Sequence, residues 1–492
     1  MAVDDLDGGA VAGLRRRRRQ GKSERVVFSL VGGWWGYGCR LLRSSNGCVV
    51  EVISREMIKP TSPTPQHLQK LKLSYLDQLA NSFYVPLVFF YQADEVKGLT
   101  TSNHVQISQR LKHSLSQTLT SFYPLAGRKI QDNFVNIDCN DAGVEFIVAR
   151  IHAELKDGTT TEEFMNKYIP SSSTPGISHT RTSPLLLLQI TLFDCGGFSV
   201  GMCFSHIIAD CASATAFVNA WAATCRGDDD QVPQFSFNLA NYFPSRDFPT
   251  DSAFEDYFKS NNEKLMMKRF VFDKVKLEAL RQRLANNYVV KDPSRVELVS
   301  AFIWKHFMIN VGMAKSGKKT NFAALHGVNL RARKSPPQLL ENVFGNCVML
   351  AIAITDSTTD DDDDDQEFHG LVSKLRKSIR MIDDDYITES QSGYSYLNDV
   401  NKFHSLITKG HEVEWCSFSS WCRFPVYEVD YGWGNPVCVG TIALPLKNVT
   451  VLMDTRCGEG IEAWVNMSQH NLEALETQFK LISTNIIRNM ES

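Results

Sequence analysis

The sequence predicts two α/β domains packed against one another, with a cleft where they meet. Three observations lead to that expectation. The chain has 492 residues, enough for two domains that each bury a core of their own. Strand-like apolar runs alternate with helical periodicities in both halves, without a detectable sequence repeat. Between the halves, from Arg226 to about Lys264, the composition shifts to Asp228-Asp229-Asp230, prolines and mixed polar residues. That stretch reads as a surface crossover rather than a core element. The expected division is a disordered extension over 1–49, a first domain over 50–225, a linker over 226–264 and a second domain over 265–492.

The elements follow in order. Residues 1–48 carry a basic run at Arg15 to Arg19 and the Gly/aromatic stretch Gly32-Gly33-Trp34-Trp35-Gly36-Tyr37-Gly38, with no stable period. An unstructured extension and a targeting signal both remain open there. Val50 to Ile53 reads as a short strand, and Pro60, Pro63 and Pro65 then force an extended passage. Leu87 to Tyr91 is a strand. From His104 to Phe122, Ile107, Leu111, Leu115 and Leu119 recur four apart, the spacing of a buried helical stripe. Tyr123-Pro124-Leu125-Ala126-Gly127 ends that helix, because proline lacks a donor and glycine frees the backbone. Strands are expected at Val135 to Ile137, Phe146 to Ala149, Leu185 to Phe193 and Val200 to Phe204, and a buried helix over Ile207 to Cys225. In the second half, regularity resumes at Met266 to Phe272, followed by helices at Lys274 to Leu284 and Val296 to Val311. Phe322 to Leu330 and Asn346 to Ile354 are strand-like. The aspartate run Asp360 to Asp365 lacks calcium-loop spacing and reads as a solvated loop.

Composition narrows the function. Lys+Arg at 52 against Asp+Glu at 55, with 43% hydrophobic residues, is the profile of a soluble globular protein. Nothing global points to nucleic acid, and a small molecule is the better expected partner. No apolar run reaches the roughly 18 to 20 residues that cross a bilayer. The acidic start does not resemble a secretory signal, so the cytoplasm is the default location and the sequons at Asn448 and Asn466 are expected to stay unmodified. The 12 cysteines are scattered without ligand spacing and read as reduced thiols. No heptad run recommends a coiled coil, so a monomer is expected.

The chemistry-bearing candidate is His206-Ile207-Ile208-Ala209-Asp210, directly after an apolar strand. Imidazole near neutrality can take a proton from an alcohol as its oxygen attacks a carbonyl. On a helix, Asp210 would share a side with His206, whereas a strand-to-helix turn would send the two elsewhere. The motif alone leaves a catalytic and a structural histidine open. The second candidate is Asp430-Tyr431-Gly432-Trp433-Gly434. Its glycines allow a tight bend, its aromatics pack, and Asp430 caps or salt-bridges the turn; a structural clamp is the expected role. Ser419-Ser420-Trp421 either line a pocket or form a strand interior. His-Glu-x-x-His and phosphate-binding glycine motifs are absent from the sequence, which leaves little support for metal or nucleotide chemistry.

The two motifs, in this order and in a chain of this size, resemble the signatures of the plant BAHD acyl-CoA-dependent acyltransferases. Ile58 to Pro65, Leu76-Asp77-Gln78, Phe122 to Arg128 and Val328-Asn329-Leu330-Arg331 share the resemblance, which covers residues 50–488. It implies two similar-sized chloramphenicol-acetyltransferase-like domains around a central solvent channel, with acyl-CoA entering one mouth and the acceptor alcohol the other. His206 is then the general base, and Asp210 pairs with Arg331 to hold the histidine loop. Asn346 becomes a pocket candidate, and Trp433 or nearby backbone donors are candidates for stabilising the oxyanion. Tyr431 stands where the family usually has phenylalanine, and its hydroxyl needs a partner if buried.

Ser62 to Pro65, Phe193 to Gly197 and Phe418 to Arg423 most resemble the vinorine synthase-like, alkaloid O-acetyltransferase branch. Acetyl-CoA as co-substrate, no bound cofactor or metal, and an alkaloid or terpenoid hydroxyl as acceptor follow from that likeness. An acylsugar-forming or other enzyme with a longer acyl-CoA, a hydrolase using bound water, and a noncatalytic small-molecule-binding protein are the alternatives.

Overall fold

Two six-stranded sheets organise the computed structural model, which describes residues 49–80, 82–93, 100–130, 136–155, 165–171, 182–246, 264–284, 290–314, 320–334, 340–356, 364–408 and 413–491. All of these belong to one compact unit spanning 40–492. The expectations for the basic run, for residues 1–48 and for Asp360 to Asp363 lie outside the described residues.

The strands in chain order are β1 (Val50–Ile58), β2 (Lys70–Lys72), β3 (Tyr84–Tyr91), β4 (Arg128–Lys129), β5 (Asn136–Asp138), β6 (Val144–Ile151), β7 (Leu186–Phe193), β8 (Phe198–Ser205), β9 (Leu265–Phe272), β10 (Asn321–Asn329), β11 (Val348–Asp356), β12 (Val413–Ser420), β13 (Cys438–Gly440), β14 (Val449–Asp454) and β15 (Ile461–Ser468). The first sheet runs β1-β6-β7-β8-β3-β13 and the second β11-β10-β12-β14-β15-β9, while β2, β5 and β4 form a small third sheet. Both large sheets are mixed: β6 and β7 are parallel in the first, and β12 runs parallel to β10 and β14 in the second.

In the first sheet the central strands are mostly apolar because both faces are covered. Every residue of β7 and β8 is buried. On the first sheet, the His104–Ser121 and Cys211–Arg226 helices pack together, and the Trp221 indole donates to Leu111 O at 3.2 Å and Ser114 Oγ at 3.1 Å. The helix Arg295–Ala314 and the C-terminal helix Gln469–Glu491 contribute buried side chains to the second core.

Strand boundaries differ from the sequence expectation where polar residues alternate with apolar ones. β1 runs to Ile58 rather than Ile53, because its polar residues face outward while its backbone pairs with β6 along the whole length. The described part of the 226–264 stretch is more deeply packed than a surface crossover: Leu239 and Phe243 are buried, and Phe237 packs on Phe122 and Phe344. Aromatic residues set among polar ones concealed this. The last two residues of the aspartate run, Asp364 and Asp365, open a helix reaching Met381 rather than a loop. The short strand β13, from the second half of the sequence, closes the edge of the first sheet against β3, so the two halves of the chain interlock. No described helix is long and apolar enough to cross a membrane. The ten described cysteines carry free thiols. Asn466 is fully buried with its amide donating to Leu444 O and Leu446 O, out of reach of a glycan in the folded protein.

Gly201 in β8 lies so close to the chain at Tyr168 that a Cβ there would fall 1.8 Å from the Tyr168 carbonyl oxygen. Gly201→Ala therefore forces two backbone segments apart and is expected to cost about 1–3 kcal/mol. A urea melt should show a lowered midpoint with unchanged slope; an unchanged midpoint would contradict this packing.

Candidate active site

β8 ends at Ser205, and the chain turns sharply instead of entering a helix. The His206 N–H donates to Phe83 O at 3.0 Å. Asp210, not Ile207, begins the next element: its backbone is extended, and its Oδ1 accepts from Ser213 N at 2.8 Å as the N-cap of the Cys211–Arg226 helix. Aspartate at this position satisfies one of the orphan donors of the first helical turn. His206 and Asp210 are therefore carried by a turn and a cap, and do not share one face of a helix.

Asp210 has a second set of partners. Arg331 Nη1 donates to its Oδ2 at 2.7 Å and Nη2 to its Oδ1 at 3.2 Å, while Cys347 N also donates to Oδ2 at 3.0 Å. The guanidinium further donates to Val343 O, Gly345 O and Ser213 Oγ. Both side chains of the pair are about nine-tenths buried, at 11% and 9% exposure. Burial works against the charge of Arg331, yet the carboxylate of Asp210 beside it holds its pKa above the ordinary value. The pair joins the loop after β8 in the first sheet to the end of β10 in the second.

The imidazole is oriented from behind. His206 Nδ1 lies 2.9 Å from Asn346 Oδ1. Asn346 Nδ2 donates to Asp77 Oδ1 at 2.9 Å and to His206 O at 2.8 Å. Both of those partners are oxygens used as acceptors, so the amide's orientation is set and its Oδ1 must accept from Nδ1–H. This assigns the Nδ1–H tautomer and leaves Nε2 with its lone pair available. Asn346 itself is 1% exposed. Expected as a pocket residue, it stands instead behind the ring.

His206 lines a cavity of about 230 Å³ between the two sheets, well above the roughly 10–15 Å³ that one water needs. Val85 and Phe204 come from the first sheet, Leu325 and Val348 from the second, and Phe83 packs edge-on against the imidazole at 5.9 Å. Ser417, Ser419 and Ser420 supply a row of hydroxyls, and Trp421 closes one wall. Trp421 Nε1 donates to Ser419 Oγ at 3.0 Å. An indole N–H is only a donor, so it occupies a lone pair of Ser419 and leaves that hydroxyl's proton free for another acceptor. Cys211 also lines the cavity, but burial raises its thiol well above the ordinary value, which keeps it protonated rather than nucleophilic. No group of three or more His, Cys, Asp or Glu side chains among the described residues is arranged to hold a metal ion.

The second motif lies apart from the cavity. Asp430 Oδ1 accepts from Gly432 N at 2.7 Å and Gly434 N at 2.8 Å, closing a turn in which both glycines have positive φ, +99° and +96°. A Cβ on Gly432 would also meet the Arg110 guanidinium at 2.7 Å. Trp433 packs on Phe198 and under Arg110, away from His206, so an oxyanion role for its indole has no geometric basis. Tyr431 is fully buried between Tyr91 and Trp221, and its hydroxyl finds no hydrogen-bond partner among the described residues. The structure thus brings together His206, Asp210, Arg331, Asn346, Ser419, Ser420 and Trp421, and separates Asp430, Gly432, Trp433 and Gly434 from them. Sequence reasoning missed Asp77, Ser213, Phe83 and Cys211 as parts of the site. Of these, Asp77 stood in a stretch singled out beforehand, Leu76-Asp77-Gln78, and Cys211 and Ser213 lay in the helix expected over Ile207 to Cys225, whereas Phe83 lay in none.

An oriented imidazole at the end of an internal strand, facing a cavity between two mixed sheets, is an arrangement able to take a proton from a bound group. The profile of the Transferase family matches residues 48–482, and the chain belongs to that family, the BAHD acyltransferases. It is 39% identical over 436 residues to stemmadenine O-acetyltransferase of Catharanthus roseus, covering 87% of this chain and 97% of that protein. It is also 39% identical over 435 residues to vinorine synthase of Rauvolfia serpentina, covering 87% of this chain and 96% of that protein. The crystal structure of vinorine synthase superposes with a TM-score of 0.74 at 37% identity, over 88% of this chain and 98% of the other. Limonoid 1-O-acetyltransferase of Citrus sinensis is 35% identical over 447 residues, covering 86% of this chain and 95% of that protein. The chain is an acyltransferase that uses acyl-CoA as co-substrate.

Arg331→Met removes one partner of a buried, hydrogen-bonded pair and strands the carboxylate, so it is expected to cost about 3–5 kcal/mol of stability. Arg331→Lys keeps a charge but not the fork, and should fall between that variant and the parent. Denaturant midpoints of the three proteins check the ranking; equal midpoints would mean that the pair does not hold the loop.

Proposed function

We propose that this enzyme transfers an acetyl group from acetyl-CoA to a hydroxyl of an alkaloid or terpenoid by direct attack, with His206 as general base. The observation that carries the reading is the hydrogen bond from His206 Nδ1–H to Asn346, which leaves Nε2 able to accept a proton inside an apolar cavity. Acetyl as the donor group is supported by the O-acetyltransferase names of similar proteins. A largely apolar cavity suits a polycyclic acceptor whose hydroxyl is its main polar handle.

In this mechanism the acceptor O–H lies against Nε2 while its oxygen attacks the thioester carbonyl. The proton passes to Nε2, a C–O bond forms, and charge collects on the former carbonyl oxygen. Ser419 is the favoured donor to that oxyanion, because its lone pair is already engaged by Trp421 and its proton is free. Collapse breaks the C–S bond, and the imidazolium returns its proton to the departing thiolate, giving the ester and free CoA. Asp210 and Arg331 hold the histidine loop, Ser420 and Trp421 line the pocket, and the turn of Asp430, Gly432, Trp433 and Gly434 supports the fold from a distance. A monomer working in the cytoplasm, with 226–264 as the linker between a first domain over 50–225 and a second over 265–492, completes the reading.

Purified protein incubated with acetyl-CoA and a mass-resolved pool of hydroxylated alkaloids and terpenoids should yield a product heavier by one acetyl group. His206→Ala should lower acceptor-dependent CoA release by on the order of 10³-fold; unchanged turnover would rule out the general-base assignment. Ser419→Ala should lower kcat by about 10²-fold with little change in the KM for acetyl-CoA. Full activity in that variant would move the oxyanion donor elsewhere.

A further inference from the structure

Asp77 is a buried carboxylate that the reaction above does not use. It lies in the single helical turn Tyr75–Gln78 and is 4% exposed. One oxygen, Oδ2, accepts from Ser74 N at 2.9 Å and Ser74 Oγ at 2.7 Å, half of a reciprocal capping box. Capping needs nothing more than that. The other oxygen, Oδ1, reaches across the fold to accept from Asn346 N at 2.7 Å and Asn346 Nδ2 at 2.9 Å. The backbone is bent to allow this: Gly345 has φ +142°, and a Cβ there would meet Leu239 Cδ2 at 2.9 Å and Asp77 Oδ1 at 3.4 Å. Burial raises the Asp77 pKa against the lowering effect of these hydrogen bonds, so the fold accepts a costly group where an uncharged one would fill the space.

We propose that Asp77 is a positioning residue for His206, acting through Asn346. By accepting from both the N–H and the side-chain amide of Asn346, it locks that amide with Oδ1 toward His206 Nδ1. A flipped amide would present its NH₂ to Nδ1 and select the opposite tautomer, with the proton on Nε2, where it blocks the base. Only the Asn346 bond to His206 O would otherwise oppose the flip. The chain Asp77, Asn346, His206 thus does with a neutral amide in the middle what a directly bonded carboxylate does elsewhere: it fixes the tautomer. The inference rests on the general-base reading of His206.

Asp77→Asn is the informative change, because it keeps the shape and one capping oxygen while setting an NH₂ against the two donors of Asn346. It should lower kcat on the order of 10²-fold, with both KM values within about threefold of the parent. The double variant Asp77→Asn/Asn346→Asp restores an acceptor at Nδ1, held by the new amide at position 77, and should recover at least about tenfold of the loss. The tautomer is read without substrate, from the ¹⁵N shifts of labelled histidine, with His206→Ala assigning the signal. The parent should show Nδ1–H, and Asp77→Asn should show Nε2–H. A folded Asp77→Asn protein that keeps Nδ1–H overturns the proposal, as does a double variant no more active than the single one. If the tautomer switches as expected but His206→Ala leaves turnover intact, the positioning holds and the general-base reading is what fails.

Discussion

The ion pair between Asp210 and Arg331 is the constraint on which the site depends. His206 sits at the end of a strand in one sheet, and Asn346, which holds its Nδ1, stands just before β11 of the other, so something must hold the two in register. Asp210 does so by accepting from its own helix at Ser213, from Arg331 at the end of β10 and from the Cys347 backbone. Arg331 in turn gathers the carbonyls of Val343 and Gly345, the segment that leads to Asn346. A hydrophobic pair could bury as much surface, but it would not specify these angles. The ionic pair exchanges a desolvation cost for a unique arrangement, and its many hydrogen bonds limit that cost.

The apolar cavity works in concert with that rigidity. A hydrogen bond in such largely apolar surroundings is stronger than one in solvent. Two of the polar groups there are already committed on one side: His206 to Asn346, Ser419 to Trp421. Each keeps the one atom a reaction would need. The aspartate-capped turn around Gly432 and Gly434 belongs to a different layer of the design, bracing Trp433 and Tyr431 against the first sheet.

Much of this was legible in the sequence, for identifiable reasons. The stripe Ile107, Leu111, Leu115, Leu119 announces its helix, and the apolar runs of β7 and β8 announce strands covered on both faces. His206 was conspicuous because a polar residue follows an apolar strand directly. Local pattern could not show that Asp210 is a cap rather than a helical residue, nor that β13 would cross into the first sheet, since both depend on contacts distant in sequence. The same holds for Asp77 and Asn346, which lie 269 positions apart yet share a hydrogen bond. Trp433, attractive as an aromatic donor in a motif, is remote because its turn is braced by Arg110 and Phe198.

The central claim is that the acceptor hydroxyl attacks the thioester directly, while acyl donor and acceptor occupy the cavity together. Initial rates with both substrates varied, combined with the intact mass of the enzyme after exposure to acetyl-CoA alone, test it most directly. Intersecting double-reciprocal lines and an unmodified protein are the predicted results. Parallel lines accompanied by an acetylated side chain would contradict the account and make His206, or a residue it activates, a covalent relay.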